Sequence, residues 1–192
     1  IQDRDAFWAE QAHHIEWHKA PQEICEYSNP PFAKWFKGGE TNLCHNAIDR
    51  HLKDRGDQAA LIFVSTETDQ EVTYTYKQLH AEVQRMAASL LSLGVKKGDR
   101  VLIYMPMIAE ASFAMLACAR IGAIHSVVFG GFASGSLASR IEDASPKVIV
   151  SADAGSRGGK VVVYKPLLDE AIRLSSHKPD SVVLVERGLA SM

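Results

Sequence analysis

Val101-Leu102-Ile103-Tyr104-Met105 is an unbroken run of apolar and aromatic side chains, and its reading decides the architecture. A strand with one wet face alternates apolar and polar residues; this run does not, as expected of a strand covered on both faces. Downstream, residues 109–120 are apolar nearly all round and read as a buried helix, closed by Gly122 as its left-handed stop. The rhythm then continues: a strand at 125–129, a helix at 136–143 and a strand at 147–151. Tyr164–Leu174 reads as a further helix and Ser181–Val185 as a last strand. Upstream, Leu79, Val83, Met86 and Leu90 form one stripe at spacings of four, three and four. Thr75-Tyr76-Lys77-Gln78 opens that helix as a capping box and Gly94 closes it. Ala59–Ser65 reads as a strand, with residues 71–74 as its hairpin partner across a polar turn, and another helix begins near Asn42. Strands alternating with three-turn helices specify right-handed crossovers. The fold class is therefore α/β, with a parallel β-sheet and crossover helices.

Residues 1–40 read differently, as an extended, aromatic-rich lead-in. Phe7, Trp8, Ile15 and Trp17 make an amphipathic start, and Ser28-Asn29-Pro30-Pro31 interrupts regular structure. Phe32, Trp35 and Phe36 follow at helical spacing, and the aromatics serve to anchor the segment to a larger body. The expected division is a lead-in over 1–40 and an α/β domain over 41–192. The chain starts at Ile1 rather than Met and stops at Met192, shortly after a strand, so it is expected to be the front piece of a longer protein.

Composition narrows the function classes. Apolar residues make up 46% and charged residues 23% of the 192 residues, an ordinary soluble balance. A formal charge of −2 leaves no basic excess for nucleic acid or an anionic membrane, so any bound anion must be held by a local arrangement. No stretch reads as a signal peptide or membrane span. Cys25, Cys44 and Cys118 are too far apart for a zinc knuckle or disulfide framework, and a reducing cytoplasm is the expected location. The adjacent His13 and His14 point to different faces of a helix, and His45 and His51 are six apart, so neither pair has metal-ligand spacing.

Ligands of an open parallel sheet bind beyond the carboxyl ends of its strands, where two stretches stand out. Phe129-Gly130-Gly131-Phe132 follows a strand and reads either as a tight turn needing positive φ or as a close-approach surface flanked by rings. Ser134 or Ser136 is the candidate cap of the helix that follows. Asp153-Ala154-Gly155-Ser156-Arg157-Gly158-Gly159-Lys160 reads equally as a solvated basic loop or as an anion cradle. It is not a P-loop: Ala154 occupies the first glycine position and Val161 replaces the Ser or Thr that would hold magnesium. No GxGxxG dinucleotide fingerprint and no GxSxG elbow occurs.

Several long blocks resemble the acetyl-CoA and propionyl-CoA synthetase family of adenylate-forming enzymes. They include Thr41-Asn42-Leu43, Asp49-Arg50-His51-Leu52, Gly98-Asp99-Arg100-Val101 and Tyr104-Met105-Pro106-Met107. Leu116-Ala117-Cys118-Ala119-Arg120-Ile121-Gly122-Ala123 and His125-Ser126-Val127-Val128-Phe129-Gly130-Gly131-Phe132 complete them. Ser28-Asn29-Pro30-Pro31-Phe32 and the run from Ser151 to Lys160 are closer to the propionyl-CoA branch. The resemblance implies a ligase that joins propionate or acetate to CoA through an acyl-adenylate, consuming ATP with magnesium and releasing AMP and pyrophosphate. It implies that Arg157, Gly158, Gly159 and Lys160 meet the phosphorylated adenosine end of CoA, and that Phe129, Gly130 and Gly131 lie against its adenine. Lys160 departs from the second arginine usual in the acetyl branch, keeping charge but losing the planar fork. The resemblance places the family's phosphate loop, its ATP- and magnesium-serving segment and its catalytic lysine beyond Met192. This chain is thus expected to carry no catalytic group and no metal site, and to depend on the downstream part of its own chain. The competing expectations are an acetate–CoA ligase fragment, a self-contained module for CoA or another adenosine phosphate, and a small interaction domain.

Overall fold

In a computed structural model, residues 3–65 and 68–189 are described. The lead-in contains helix α1 (Arg4–Ala12) and an antiparallel hairpin of β1 (Glu23–Asn29) and β2 (Phe32–Lys37). Phe32, Trp35 and Phe36 therefore lie on a strand, not a helix. Asn29 pairs with Phe32 across Pro30-Pro31, and pairing across that turn outweighs the local spacing. Trp8 packs edge-on against Trp35 at 5.5 Å, which fastens α1 to the hairpin.

Next come α2 (Leu43–Ala47), a single 3-10 turn (Asp49–His51) and α3 (Leu52–Arg55). Asn42 joins two helix ends: its Oδ1 accepts from the His45 amide at the start of α2, while its Nδ2 donates to the carbonyls of Ala119 and Arg120. A hairpin of β3 (Ala59–Ser65) and β4 (Gln70–Thr75) leads into α4 (Tyr76–Ser92) through the anticipated capping box. Thr66 and Glu67, in the turn of that hairpin, lie outside the described residues.

The core of the domain is then laid down by β5 (Arg100–Met105), α5 (Ala109–Ile121), β6 (Ile124–Phe129), α6 (Ser134–Ala144) and β7 (Val148–Ala152). A short hairpin of β8 (Ala154–Arg157) and β9 (Lys160–Val163) follows, then α7 (Tyr164–Leu174) and β10 (Ser181–Val185). The four-stranded sheet runs β10-β7-β5-β6 and is parallel throughout. After β6 the chain crosses back over β5 to form β7, so a topological switch point lies between β5 and β7.

That reversal puts helices on both faces. Val101, Ile103, Met105, Val148 and Val150 point into a core with Val83, Leu90, Phe113 and Ala117 from α4 and α5. Leu102, Tyr104 and Ile149 point the other way, to Leu137, Ile141 and Leu168 from α6 and α7. The unbroken apolar run of β5 is thus explained: every side chain from Val101 to Met105 is buried, alternately on one face and the other. Burial of each Val, Leu or Ile there contributes about 1.5–3 kcal/mol, against about 0–1 kcal/mol for an exposed ion pair such as Lys77 with Asp57. β6 is an edge strand with Ile124, Val127 and Phe129 exposed.

Polar contacts tie the outer helices together. Glu142 on α6 accepts from Ser175 Oγ, Ser176 Oγ and the amides of Ser176 and His177, just beyond α7. Those donors, the Ser176 hydroxyl foremost, hold its carboxyl down from 4.5 to about 2. A carboxyl with a lowered folded pKa contributes stability that is complete above its ordinary value and lost as pH falls towards the folded one. Acid titration of the chain beside Glu142→Gln should therefore show the wild-type advantage shrinking between about pH 4.5 and 2. A gap between the two proteins that stays constant over that window would contradict the assignment.

The three cysteines are free and buried, and burial pushes the Cys118 thiol up to about 12. No helix among the described residues is long and apolar enough to cross a membrane.

Candidate functional site

The two stretches singled out by their glycines meet at the carboxyl end of the sheet. Gly130 and Gly131 follow β6, and Arg157 ends β8, which leaves β7 after one residue. The Arg157 guanidinium lies over the Phe129 ring, 5.4 Å from its centroid. A Cβ built on Gly131 would sit 2.6 Å from Arg157 Nη1 and 2.5 Å from the Phe129 ring. On Gly130 it would sit 2.6 Å from the hydroxyl of Tyr164.

Neither Gly130 nor Gly131 has positive φ, so glycine is required here for close approach and not for a left-handed turn. The reverse holds at Gly158 and Gly159, whose φ values are +56° and +72°. The supposed loop at 153–160 is in fact a β-hairpin: Arg157 pairs with Lys160 across the two-residue Gly158-Gly159 turn. Two consecutive left-handed residues are what the tightest hairpin turns need, which is why glycines stand there. The hairpin fixes Arg157 and Lys160 at the tip as exposed neighbours, rather than leaving two cations on a mobile loop.

Behind this surface lies a pair of buried tyrosines. Tyr104, at the end of β5, donates from its hydroxyl to the Phe132 carbonyl at 3.1 Å and meets the Tyr164 ring edge-on at 5.1 Å. Burial pushes the Tyr104 hydroxyl up to about 12, so it stays a proton donor at neutral pH. Burial also raises Tyr164, with the charges of Arg157 and Arg187 acting in the opposite sense. Phe132 packs edge-on to Phe129 at 5.7 Å and is covered by the Arg140 guanidinium at 4.2 Å. α6 begins after Ala133 with no side-chain cap, so neither Ser134 nor Ser136 plays that part.

Asp153 sits directly behind the hairpin and is 2% exposed. Its carboxylate accepts from the amides of Ala154, Arg187 and Gly188 at 2.6, 3.0 and 3.3 Å. Three amides on one buried carboxylate make a structural clasp. The surface itself presents an exposed guanidinium, an ammonium beside it, a flat ring 61% exposed, and glycines on both stretches. This suits a phosphate joined to a flat heterocycle.

Tyr104, Tyr164, Arg140 and Asp153 are the members of this arrangement whose roles the sequence reading did not identify. The signal available was a tyrosine inside an otherwise aliphatic strand, which when buried must find a partner for its hydroxyl. Elsewhere, a groove of about 480 Å³ between β3–β4, the start of α5 and the segment after β10 is lined by Tyr74, Glu110, Glu186 and Arg187. Two carboxylates beside one guanidinium make it a poor receptor for an anion. No group of three or more His, Cys, Asp or Glu able to hold a metal exists among the described residues.

Comparison with known proteins agrees with the blocks noted above. Propionate–CoA ligases of Salmonella typhimurium and Escherichia coli are 62% and 61% identical over all 192 residues. Acetyl-coenzyme A synthetase of Streptomyces coelicolor is 55% identical over 171 residues, 88% of this chain and 26% of its own length. The chain spans 31% of the length of the two propionate–CoA ligases. Among solved structures, an acetoacetyl-CoA synthetase from Streptomyces lividans superposes with a TM-score of 0.91 at 27% identity, over all of this chain and 30% of that one. The acetyl-coenzyme A synthetase N-terminus model matches residues 1–47 and the AMP-binding enzyme model residues 48–188, so this chain belongs to the AMP-binding enzyme family, within its acyl-CoA synthetases.

Proposed function

We propose that these residues form the front part of a propionate–CoA ligase and supply part of its CoA-binding surface. The complete enzyme would convert a short-chain carboxylate, ATP and CoA into acyl-CoA, AMP and pyrophosphate through an acyl-adenylate. The observation that carries the CoA assignment is the meeting of Arg157 with Phe129 and Gly131 across 28 residues of chain. Arg157 can present two parallel donors to a phosphate, and Lys160 adds a point charge beside it. The exposed Phe129 ring offers a flat surface to the adenine, beside backbone that the glycines at 130 and 131 let pack closely against Tyr164 and Arg157. Propionate is favoured over acetate by the similarity to propionate–CoA ligases.

Every side chain on this surface binds or positions, and none is placed to transfer an acyl or adenylyl group. Adenylation chemistry, ATP and its magnesium would belong to residues of the complete protein beyond Met192. A cytoplasmic location fits the buried, unpaired cysteines.

The deciding experiment compares CoA with 3′-dephospho-CoA in the full-length enzyme. If Arg157 holds the phosphate on the adenosine, Arg157→Ala should raise the KM for CoA about tenfold and erase the preference for CoA over the dephosphorylated form. Propionate-dependent exchange of pyrophosphate into ATP, which needs no CoA, should survive in that variant and be absent from the 192-residue chain alone. An unchanged preference in Arg157→Ala would dismiss the CoA reading.

A further inference from the structure

We propose that Tyr164 is a positioning residue for CoA: its ring is the spacer that holds the Phe129-Gly130-Gly131 turn and the Arg157 hairpin at the separation the ligand requires. The proposal rests on the CoA reading given above and deepens it.

The geometry singles out this one side chain. Tyr164 is the first residue of α7 and is 6% exposed. A Cβ on Gly130 would lie 2.6 Å from its hydroxyl oxygen and 3.0 Å from Cε1 and Cζ. A Cβ on Gly155, in β8, would lie 2.6 Å from Cε2 on the other edge of the same ring. One aromatic ring therefore touches both stretches that carry the proposed contacts, and each meets it with a glycine. Gly155 is confined from a second side as well, because its Cβ would come within 3.1 Å of Pro106 Cβ in the segment after β5. The ring is also held by Tyr104, which packs against it at 83° and whose own hydroxyl donates to the Phe132 carbonyl. Tyr164 is thus braced by the central strand and in turn sets the gap between a turn that follows β6 and a hairpin that follows β7.

The contact of Arg157 with Phe129 and Gly131 is made at the surface by an exposed, flexible side chain. The buried ring beneath it is rigid, with two side-chain torsions and packing on three sides. Errors of about 1 Å in the placement of a binding group are costly, so removal of the spacer should be felt in CoA affinity even though Tyr164 is covered.

The test uses the full-length enzyme, with CoA and 3′-dephospho-CoA as the probes. Tyr164→Phe keeps the ring and should stay within about twofold of wild type in KM for CoA. Tyr164→Leu opens the gap and should raise that KM about tenfold while reducing the preference for CoA over dephospho-CoA. Its propionate-dependent pyrophosphate exchange should change less than about twofold, which shows that the fold persists. Gly130→Ala should raise the KM for CoA in the wild-type background, through its clash with Tyr164, and have little further effect in the Tyr164→Leu background. The two hypotheses fail separately. An unchanged preference in Arg157→Ala removes the CoA reading itself. An Arg157→Ala effect with a normal KM in Tyr164→Leu overturns only the spacer role. So would a Tyr164→Leu enzyme in which pyrophosphate exchange falls in parallel with CoA use, because that pattern is a general loss of fold.

Discussion

Tyr104→Ala is expected to destabilise the chain by about 3–5 kcal/mol, the range for deleting a large buried aromatic. Tyr104 has no exposed surface and stands on the central strand, between Val128 and Ser151 of the neighbouring strands. Its removal leaves a cavity against Leu137, Ile141 and Leu168, strips Tyr164 of its edge-on partner and leaves the Phe132 carbonyl without the hydroxyl that donates to it. Tyr104→Phe separates these effects: the cavity does not form, and only the hydrogen bond goes, at about 1–3 kcal/mol if the carbonyl remains dry. Urea unfolding of the three proteins checks the ranking. A Phe variant as unstable as the Ala variant would show that the hydroxyl, not the packing, carries the effect.

Asp153→Ala should cost about 3–4 kcal/mol, by a different route. No large volume is lost. Instead, three amides, that of Ala154 buried and those of Arg187 and Gly188 partly buried, lose their acceptor together. The clasp joins the end of β7 to the segment leaving β10, and the backbone of Asp153 already takes the Tyr164 and Lys165 amides at the start of α7. The segment after β10 should loosen first. Hydrogen exchange should therefore speed up at Arg187 and Gly188 in Asp153→Ala, with β5 far less affected. Asp153→Asn should fall between, since it keeps one acceptor oxygen but turns a donor towards an amide that also donates.

Much of this architecture was legible because it is encoded locally. Ala59–Ser65, Tyr164–Leu174 and Ser181–Val185 carry their boundaries in the residues themselves. Thr75 with Gln78 announces a helix start through chemistry that spans four residues. What escaped was pairing between distant or unpromising segments. Phe32, Trp35 and Phe36 sit at a helix-compatible spacing, yet they lie opposite Asn29, Cys25 and Glu23 or their neighbours in a hairpin. Ala154, Gly155 and Ser156 have little strand propensity, and their strand character comes from pairing with Val163, Val162 and Val161. At the site, glycine content drew attention to two stretches that the fold brings together. Of the two readings open at Gly130 and Gly131, a positive-φ turn and a close approach, the backbone excludes the first, and the demand for a small residue comes from Tyr164, Arg157 and the adjacent Phe129 ring.

The exposed margin of the parallel sheet has a practical consequence. β6 is hydrogen-bonded to β5 on one side, and along its other side it offers a row of backbone donors and acceptors beside Ile124, Val127 and Phe129. Ile124-His125-Ser126-Val127-Val128-Phe129 contains no lysine, glutamate or proline of the kind that discourages strand addition by another molecule. Handled as a separate 192-residue piece, the chain thus carries a ready template for self-association, which sets an upper limit on the concentration at which it stays monodisperse.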